Sequence, residues 1–222
     1  MTDSAERLPG TVGRNAPARA AIAPTTRSEE AKPMSVVTPF PKPASRIQDD
    51  PASFRHAFRH LAGGVSVITT GHGDERTGLT ATSVASLSAE PPTVMFGLNL
   101  SSSSFPILER SRGFGVNFLN ATQKPVADRF AGRKGEKGAA RYADAEWISG
   151  MTGAPLLIGA LAALDCEVEE IIERHSHAIV IGRVRDIRLG VNDAALVYWR
   201  GDYERLGWMS EEVTTALGLR AF

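Results

Sequence analysis

Gly63-Gly64-Val65-Ser66-Val67-Ile68-Thr69-Thr70 is where the chain changes its period. Five of the six residues after the glycines are Val, Ile or Thr, side chains stiff at χ1 that fit a pleated strand. Gly71-His72-Gly73-Asp74 follows as a turn signal. Downstream, strand-length runs bounded by Gly, Pro, Asn or Ser fall at residues 77–88, 93–100 and 113–119. Others fall at 160–172, 177–189 and 195–199, with a shorter piece around Tyr203. Only two short helical interludes interrupt them, over 105–110 and 124–130. Many strands, short turns and few helices predict a mainly β protein, an antiparallel barrel or sandwich rather than a βαβ sheet.

Upstream of the glycines the pattern is helical. Asp50-Pro51 supplies a capping carboxylate and a first-turn proline, and Phe54, Ala57, Phe58 and Leu61 fall on one stripe. Gly63-Gly64 is expected to end this helix. His56 and His60, four apart, have metal-ligand spacing, but no third ligand or intervening Glu base accompanies them, so a solvated face is the simpler reading. Residues 1–50 differ again. Eight of the 13 prolines lie within residues 1–53, where the single aromatic is Phe40. Pro39-Phe40-Pro41-Lys42-Pro43 forbids helix, and so little apolar surface cannot offset ordering entropy. The expectation is a disordered extension over 1–50 and one domain over 51–222. Arg7, Arg14, Arg19 and Arg27 would suit a targeting peptide, but Asp3, Glu6, Glu29 and Glu30 and the lack of an apolar stretch oppose it.

Charge narrows the function classes. With 25 basic and 25 acidic residues among 222, the basic excess expected of a nucleic-acid binder is missing. No apolar run approaches a membrane span, and a cytoplasmic protein is expected. The lone Cys166 excludes an internal disulfide and, within a strand, reads as a small buried residue. There is no strand–GxGxxG–helix unit, no GxSxG elbow and no HExxH. Gly132-Arg133-Lys134-Gly135-Glu136-Lys137-Gly138 lacks phosphate-loop spacing and reads as a charged loop. An enzyme without these toolkits implies an organic cofactor that carries the chemistry.

Two segments are unusually rich in hydroxyls. Gly78-Leu79-Thr80-Ala81-Thr82-Ser83-Val84-Ala85-Ser86-Leu87-Ser88 reads as a half-buried strand. Asn99-Leu100-Ser101-Ser102-Ser103-Ser104 leads into the short helix beginning Phe105-Pro106. Hydroxyls and free N–H groups hold a phosphate without many cations, although strand edges and an N-cap would explain each segment singly.

Together with Gly64 to Thr70, Pro91-Pro92, Val116-Asn117-Phe118-Leu119, His177-Ala178-Ile179-Val180-Ile181-Gly182-Arg183-Val184 and Leu196-Val197-Tyr198-Trp199-Arg200-Gly201-Asp202-Tyr203, they resemble the flavin reductase-like, FMN-binding split β-barrel family. Within it the chain resembles the short-chain NAD(P)H:flavin oxidoreductases that serve two-component monooxygenases. The resemblance covers about residues 52–206.

It implies a split antiparallel β-barrel, a homodimer, FMN or FAD, and NADH or NADPH as hydride donor. Reduced flavin would pass to a flavin-dependent monooxygenase. Thr80, Ala81, Thr82 and Ser83 would line the flavin ring and ribityl chain, and Asn99 with Ser101, Ser102, Ser103 and Ser104 would hold the phosphate. His177 would lie near the nicotinamide as the catalytic candidate, with Tyr198 and Tyr203 shaping that pocket. His175-Ser176 stands where the family often has Gly-Asp. The basic 132–138 loop would reach the cofactor's outer phosphate or adenosine. A flavin-dependent reductase of another small molecule and a non-catalytic flavin carrier are the alternatives.

Overall fold

The computed structural model describes residues 50–191 and 194–207; the expected extension lies outside the described residues apart from Asp50. In chain order the strands are β1 (Gly63–Gly64), β2 (Ser66–Thr70), β3 (Thr77–Ala81), β4 (Ala85–Ala89), β5 (Pro92–Asn99) and β6 (Gly113–Phe118). They continue with β7 (Trp147–Ser149), β8 (Pro155–Leu157), β9 (Ala162–Arg174), β10 (His177–Leu189), β11 (Ala195–Trp199) and β12 (Asp202–Leu206). Three short helices accompany them: α1 (Pro51–Phe58), α2 (Phe105–Ser111) and α3 (Lys124–Phe130).

Seven strands form one sheet in the order β3-β2-β6-β9-β10-β5-β4, with every pairing antiparallel. Its two edges, β3 and β4, are consecutive in the chain and separated by residues 82–84 alone. A linker of this length spans at most roughly 15 Å at about 3.8 Å per residue. A flat sheet of this width would hold its edges roughly 29 Å apart at about 4.8 Å per strand spacing. The sheet therefore curls until its edges meet around that linker, and among the described residues no ladder joins them. This is a barrel open along one seam.

A second sheet, β1-β11-β12, grows from the first through Val65. The Val65 N–H donates to the Leu196 carbonyl at 2.9 Å, and its own carbonyl accepts from Leu119 N–H at 3.0 Å. β7 and β8 form a separate hairpin.

β2 is buried along its whole length because both of its faces are covered. Ile68 packs inside the barrel with Phe96, Leu98, Phe114, Cys166 and Val180. Val67 packs on the other face with Leu119, Ala127, Phe130, Leu157 and Leu196. Polar groups between these two cores spend themselves on main chain, as burial requires. Asn117 donates to Val67 O at 3.0 Å and accepts from Leu157 N–H at 2.7 Å. Thr69 Oγ1 donates to Pro155 O at 2.5 Å, and Thr70 Oγ1 to Gly113 O at 2.8 Å.

The strand-rich expectation holds, with three local differences. The single run expected over 77–88 is two strands on opposite edges of the sheet. Gly63-Gly64 does not end the helix: α1 stops at Phe58, and the glycines form β1 opposite Tyr198 and Val197. β7 and β8, three residues each, were not expected at all.

Candidate functional site

The 82–84 linker builds the site. It lies outside every ladder, so Thr82 and Ser83 project as exposed side chains beside the seam. Thr82 packs beside Gly63, where a Cβ would come within 3.1 Å of the Thr82 Cβ. Ser83 continues the sheet by side chain: its Oγ accepts the Gly97 N–H at 3.1 Å, where β4 has not yet begun to pair with β5.

These residues form one wall of a groove of about 460 Å³, together with Gly63 and Tyr198. The opposite wall comes from α1 and its C-terminal end: Phe54, Arg55, Phe58, Arg59 and Leu61. Among the described residues no carboxylate lines the groove and neither arginine makes an ion pair.

Beyond Tyr198 lies a cationic corner. Tyr198 and Tyr203 stand edge to face with centroids 5.4 Å apart. Arg133 lies 4.9 Å from the Tyr203 ring and Lys124 Nζ 5.7 Å from it, within cation–π range. Burial pushes the Tyr203 phenol up, and the Arg133 charge partly opposes that shift. Through Arg133 the 132–138 loop therefore touches this corner. Arg133 is also tied to Asp128 at 3.0 Å, and Arg141 Nε donates to Glu136 O at 3.1 Å within the loop.

A second shelf lies further along β5. His177 is the cross-strand partner of Asn99, so the two exposed side chains share a face. Asn99 Oδ1 accepts from both Ser101 N–H at 2.9 Å and Ser101 Oγ at 2.8 Å, which folds the start of the loop. The Leu100 N–H donates to Ser176 O at 3.0 Å and fixes this loop against the β9–β10 turn. Ser176 Oγ lies 2.9 Å from His177 Nδ1. Gly97, which Ser83 holds, is two residues from Asn99, roughly 7 Å along a strand. The groove and the shelf are therefore neighbours on one sheet face.

The structure sorts the expected residues. Thr82, Ser83 and Tyr198 line the groove, Tyr203 abuts it, and Asn99, Ser101, Ser103 and His177 are exposed on or beside the shelf. Thr80 is half-buried and donates its hydroxyl to Ala127 O at 2.7 Å, holding α3. Ala81 turns its side chain into the barrel core, which leaves only its main chain for a ligand. Ser104 is fully buried and donates to Gly78 O at 3.1 Å, so its hydroxyl ties α2 to β3 instead of facing the shelf. Ser102 is half-buried and takes the Ser104 N–H at 3.3 Å.

Sequence reading missed the α1 wall, Gly97 and Lys124. The paired stripes Phe54/Phe58 and Arg55/Arg59 were the available signal for the first. Cys166 is fully buried and its thiol is pushed up to about 12 by burial, with the Asp165 charge adding to this. His56 and His60 are exposed with ring centroids 5.3 Å apart, and no metal-competent cluster of three exists among the described residues.

A groove with aromatic side chains on one wall, hydroxyls on the other and unpaired cations suits a flat, largely apolar ligand with an anionic group. A flavin has that chemistry. Comparison with known proteins agrees. Residues 58–207 match the flavin reductase like domain. The reductase subunit HsaB of a flavin-dependent monooxygenase from Mycobacterium tuberculosis is 35% identical over 158 residues, 70% of this chain and 82% of that protein. FMN reductase (NADH) RutF of Pseudomonas syringae is 34% identical, with 78% of this chain and 96% of that protein covered. The structure of the Streptomyces globisporus NADH:FAD oxidoreductase SgcE6 in complex with NAD and FAD fragments superposes with a TM-score of 0.66 at 28% identity. That match covers 73% of this chain and 98% of the other. By fold and by match, the chain belongs to the flavin reductase-like family.

Proposed function

We propose that this protein is an NAD(P)H-dependent flavin reductase that takes FMN or FAD and releases the reduced form to a flavin-dependent monooxygenase. The observation that carries the reading is the Ser83–Gly97 contact, which sets an aromatic-walled groove beside a hydroxyl-rich shelf on one sheet face. Bound together, flavin and reduced nicotinamide supply the hydride chemistry between themselves. The protein's share is to orient two flat rings and keep water from between them.

Thr82 and Ser83 offer hydroxyls to the polar edge of a flavin lying in the groove. Asn99, Ser101 and Ser103 receive its phosphate on the shelf; Ser102 and Ser104 shape the loop beneath. His177 faces the nicotinamide: Ser176 Oγ occupies the neighbourhood of Nδ1, which leaves Nε2 to hold the ligand's amide. Tyr198 and Tyr203 close the corner between groove and loop. No step calls for a buried general base, and the Cys166 thiol, sealed in the core, takes no part.

A homodimer completes the reading, because both edges of the open seam and the outer side of β10, with Ile179 exposed, gain from being covered. A cytoplasmic location follows from the need for the cell's nicotinamide pool; among the described residues no helix is long and apolar enough to cross a membrane. The test is a steady-state panel: NADH and NADPH oxidation followed by loss of the reduced nicotinamide absorbance, with FMN, FAD and riboflavin as acceptors. Saturable turnover with free flavin is the expected result. Tight flavin binding with no nicotinamide oxidation would leave a carrier, and size-exclusion chromatography decides the dimer.

A further inference from the structure

α1 is held in place without using its apolar side chains. Asp50 caps it by accepting from the Ala52 and Ser53 N–H groups at 3.2 and 2.9 Å. Just past its last turn, Arg59 O accepts from Arg200 N–H at 2.8 Å and His60 O from Trp199 Nε1 at 3.3 Å. None of its residues is buried, and Phe54 and Phe58 remain 61% and 56% exposed with their rings 4.4 Å apart. An eight-residue helix has no independent stability in water, so those main-chain ties are what keep it formed. Its aromatic stripe is then free to face the groove, beside a second stripe of Arg55 and Arg59.

We infer that α1 is the outer wall of the flavin site, with Phe54 and Phe58 against the flat face of the ring and Arg55 and Arg59 neutralising an anionic group of the same molecule. The inference rests on the reading of the protein as a flavin reductase. Charge complementarity selects the occupant: two arginines without an ion pair and no carboxylate among the described residues, beside an aromatic wall, call for a planar anion. A volume of about 460 Å³ lies within the range of small-ligand sites. The opposite wall of Thr82, Ser83 and Tyr198 supplies the hydroxyls that a flavin's polar edge takes up. With the phosphate received on the shelf, the anionic group left to Arg55 and Arg59 is the reduced ring.

The test uses the full-length protein and compares Phe58→Ala, Arg55→Gln/Arg59→Gln and wild type. Dissociation constants for FMN and riboflavin come from quenching of flavin fluorescence, alongside KM for NADH and the thermal midpoint. Wild-type binding and turnover come first; their absence defeats the flavin reductase reading itself, whatever the variants do. Given wild-type binding, Phe58→Ala should weaken FMN and riboflavin alike by about ten-fold, with the midpoint within about 2 °C of wild type because the ring is not in the core. The double variant should weaken reduced FMN and reduced riboflavin alike by about five-fold or more, read by anaerobic equilibrium dialysis. A loss confined to FMN, with riboflavin unchanged, would move the phosphate from the shelf to the arginines and overturn their assignment to the ring. Unchanged affinity for both flavins in both variants overturns the inference. So does a loss of dimer in Phe58→Ala with flavin affinity intact, since the stripe would then face a second copy.

Discussion

Two hydroxyl-rich regions of this barrel are alike in composition and opposite in use. Between the cores, Thr69, Thr70 and Asn117 are buried, and each polar group has a main-chain partner from another element. At the seam and shelf, Thr82, Ser83, Asn99 and Ser101 are exposed, and the bonds of the last three run to the nearest turn or to one adjoining strand. The first set joins β2 to β6 and β8. The second set leaves lone pairs and donors facing solvent. A Ser or Thr in a strand is thus either spent on neighbouring main chain or left open to a partner, and what decides between them is whether a second layer covers it.

Substitutions should divide along the same line. The largest effect is expected from Asn117→Ala, which strands the Leu157 N–H, removes a bond to the Val67 carbonyl and opens a cavity. About 3 kcal/mol of stability should be lost, read from urea denaturation. On the shelf, His177→Ala should raise the nicotinamide KM about ten-fold, equivalent to about 1.4 kcal/mol, with an unchanged melting midpoint. An unaltered rate and KM in stopped-flow flavin reduction would remove His177 from the site. Ser101→Ala should raise the FMN KM by about three- to five-fold while shifting stability by less than about 0.5 kcal/mol. A shelf variant that unfolds the protein, or a buried variant that only weakens flavin, would break the contrast.

A smaller gain is expected at the turn beneath His177. His175 has φ +54, in the left-handed region where a Cβ is strained. His175→Gly should stabilise by about 0.5 kcal/mol, measured by the same denaturation. The smallest effect should come from Cys166. With its folded thiol pushed up to about 12, it should resist alkylation at pH 8 in the native state and react only on unfolding. The sign is that of a raised acid: its contribution is intact below the thiol's ordinary value of 9.0 and falls as pH rises above it, because only the unfolded thiol ionises there.

Much of this fold is legible in sequence because its strands are chemically marked. The β-branched run of β2, the 177–189 run of β10 and the Asp50 cap all appear in place, since each is set by local patterning. The break at residues 82–84 is not legible. Thr82-Ser83-Val84 has the same strand-like composition as its flanks, and only the closure of a curled sheet turns it into a linker. β7 and β8 are too short to carry a period. At the site, residue types pointed to hydroxyl donors, but which hydroxyls face outward depends on covering layers from distant parts of the chain. Ser104 is the instructive case: adjacent to Ser103 in sequence, it is sealed by β3. The α1 wall was hidden for a related reason, since a periodic aromatic stripe normally signals burial, and here it is left exposed.

The three-residue linker has a further consequence in the currency of linkage. Residues 82–84 join the two sheet edges, and two of them, Thr82 and Ser83, also form a wall of the groove. A ligand gripping them restrains the same coordinate along which the barrel would unroll. Occupancy at a hundred times Kd adds about 2.7 kcal/mol to the folded state by mass action. By reciprocity, whatever favours the unrolled state competes with the ligand, and added ligand opposes it. The flavin and the fold would thus titrate each other through a single short piece of chain.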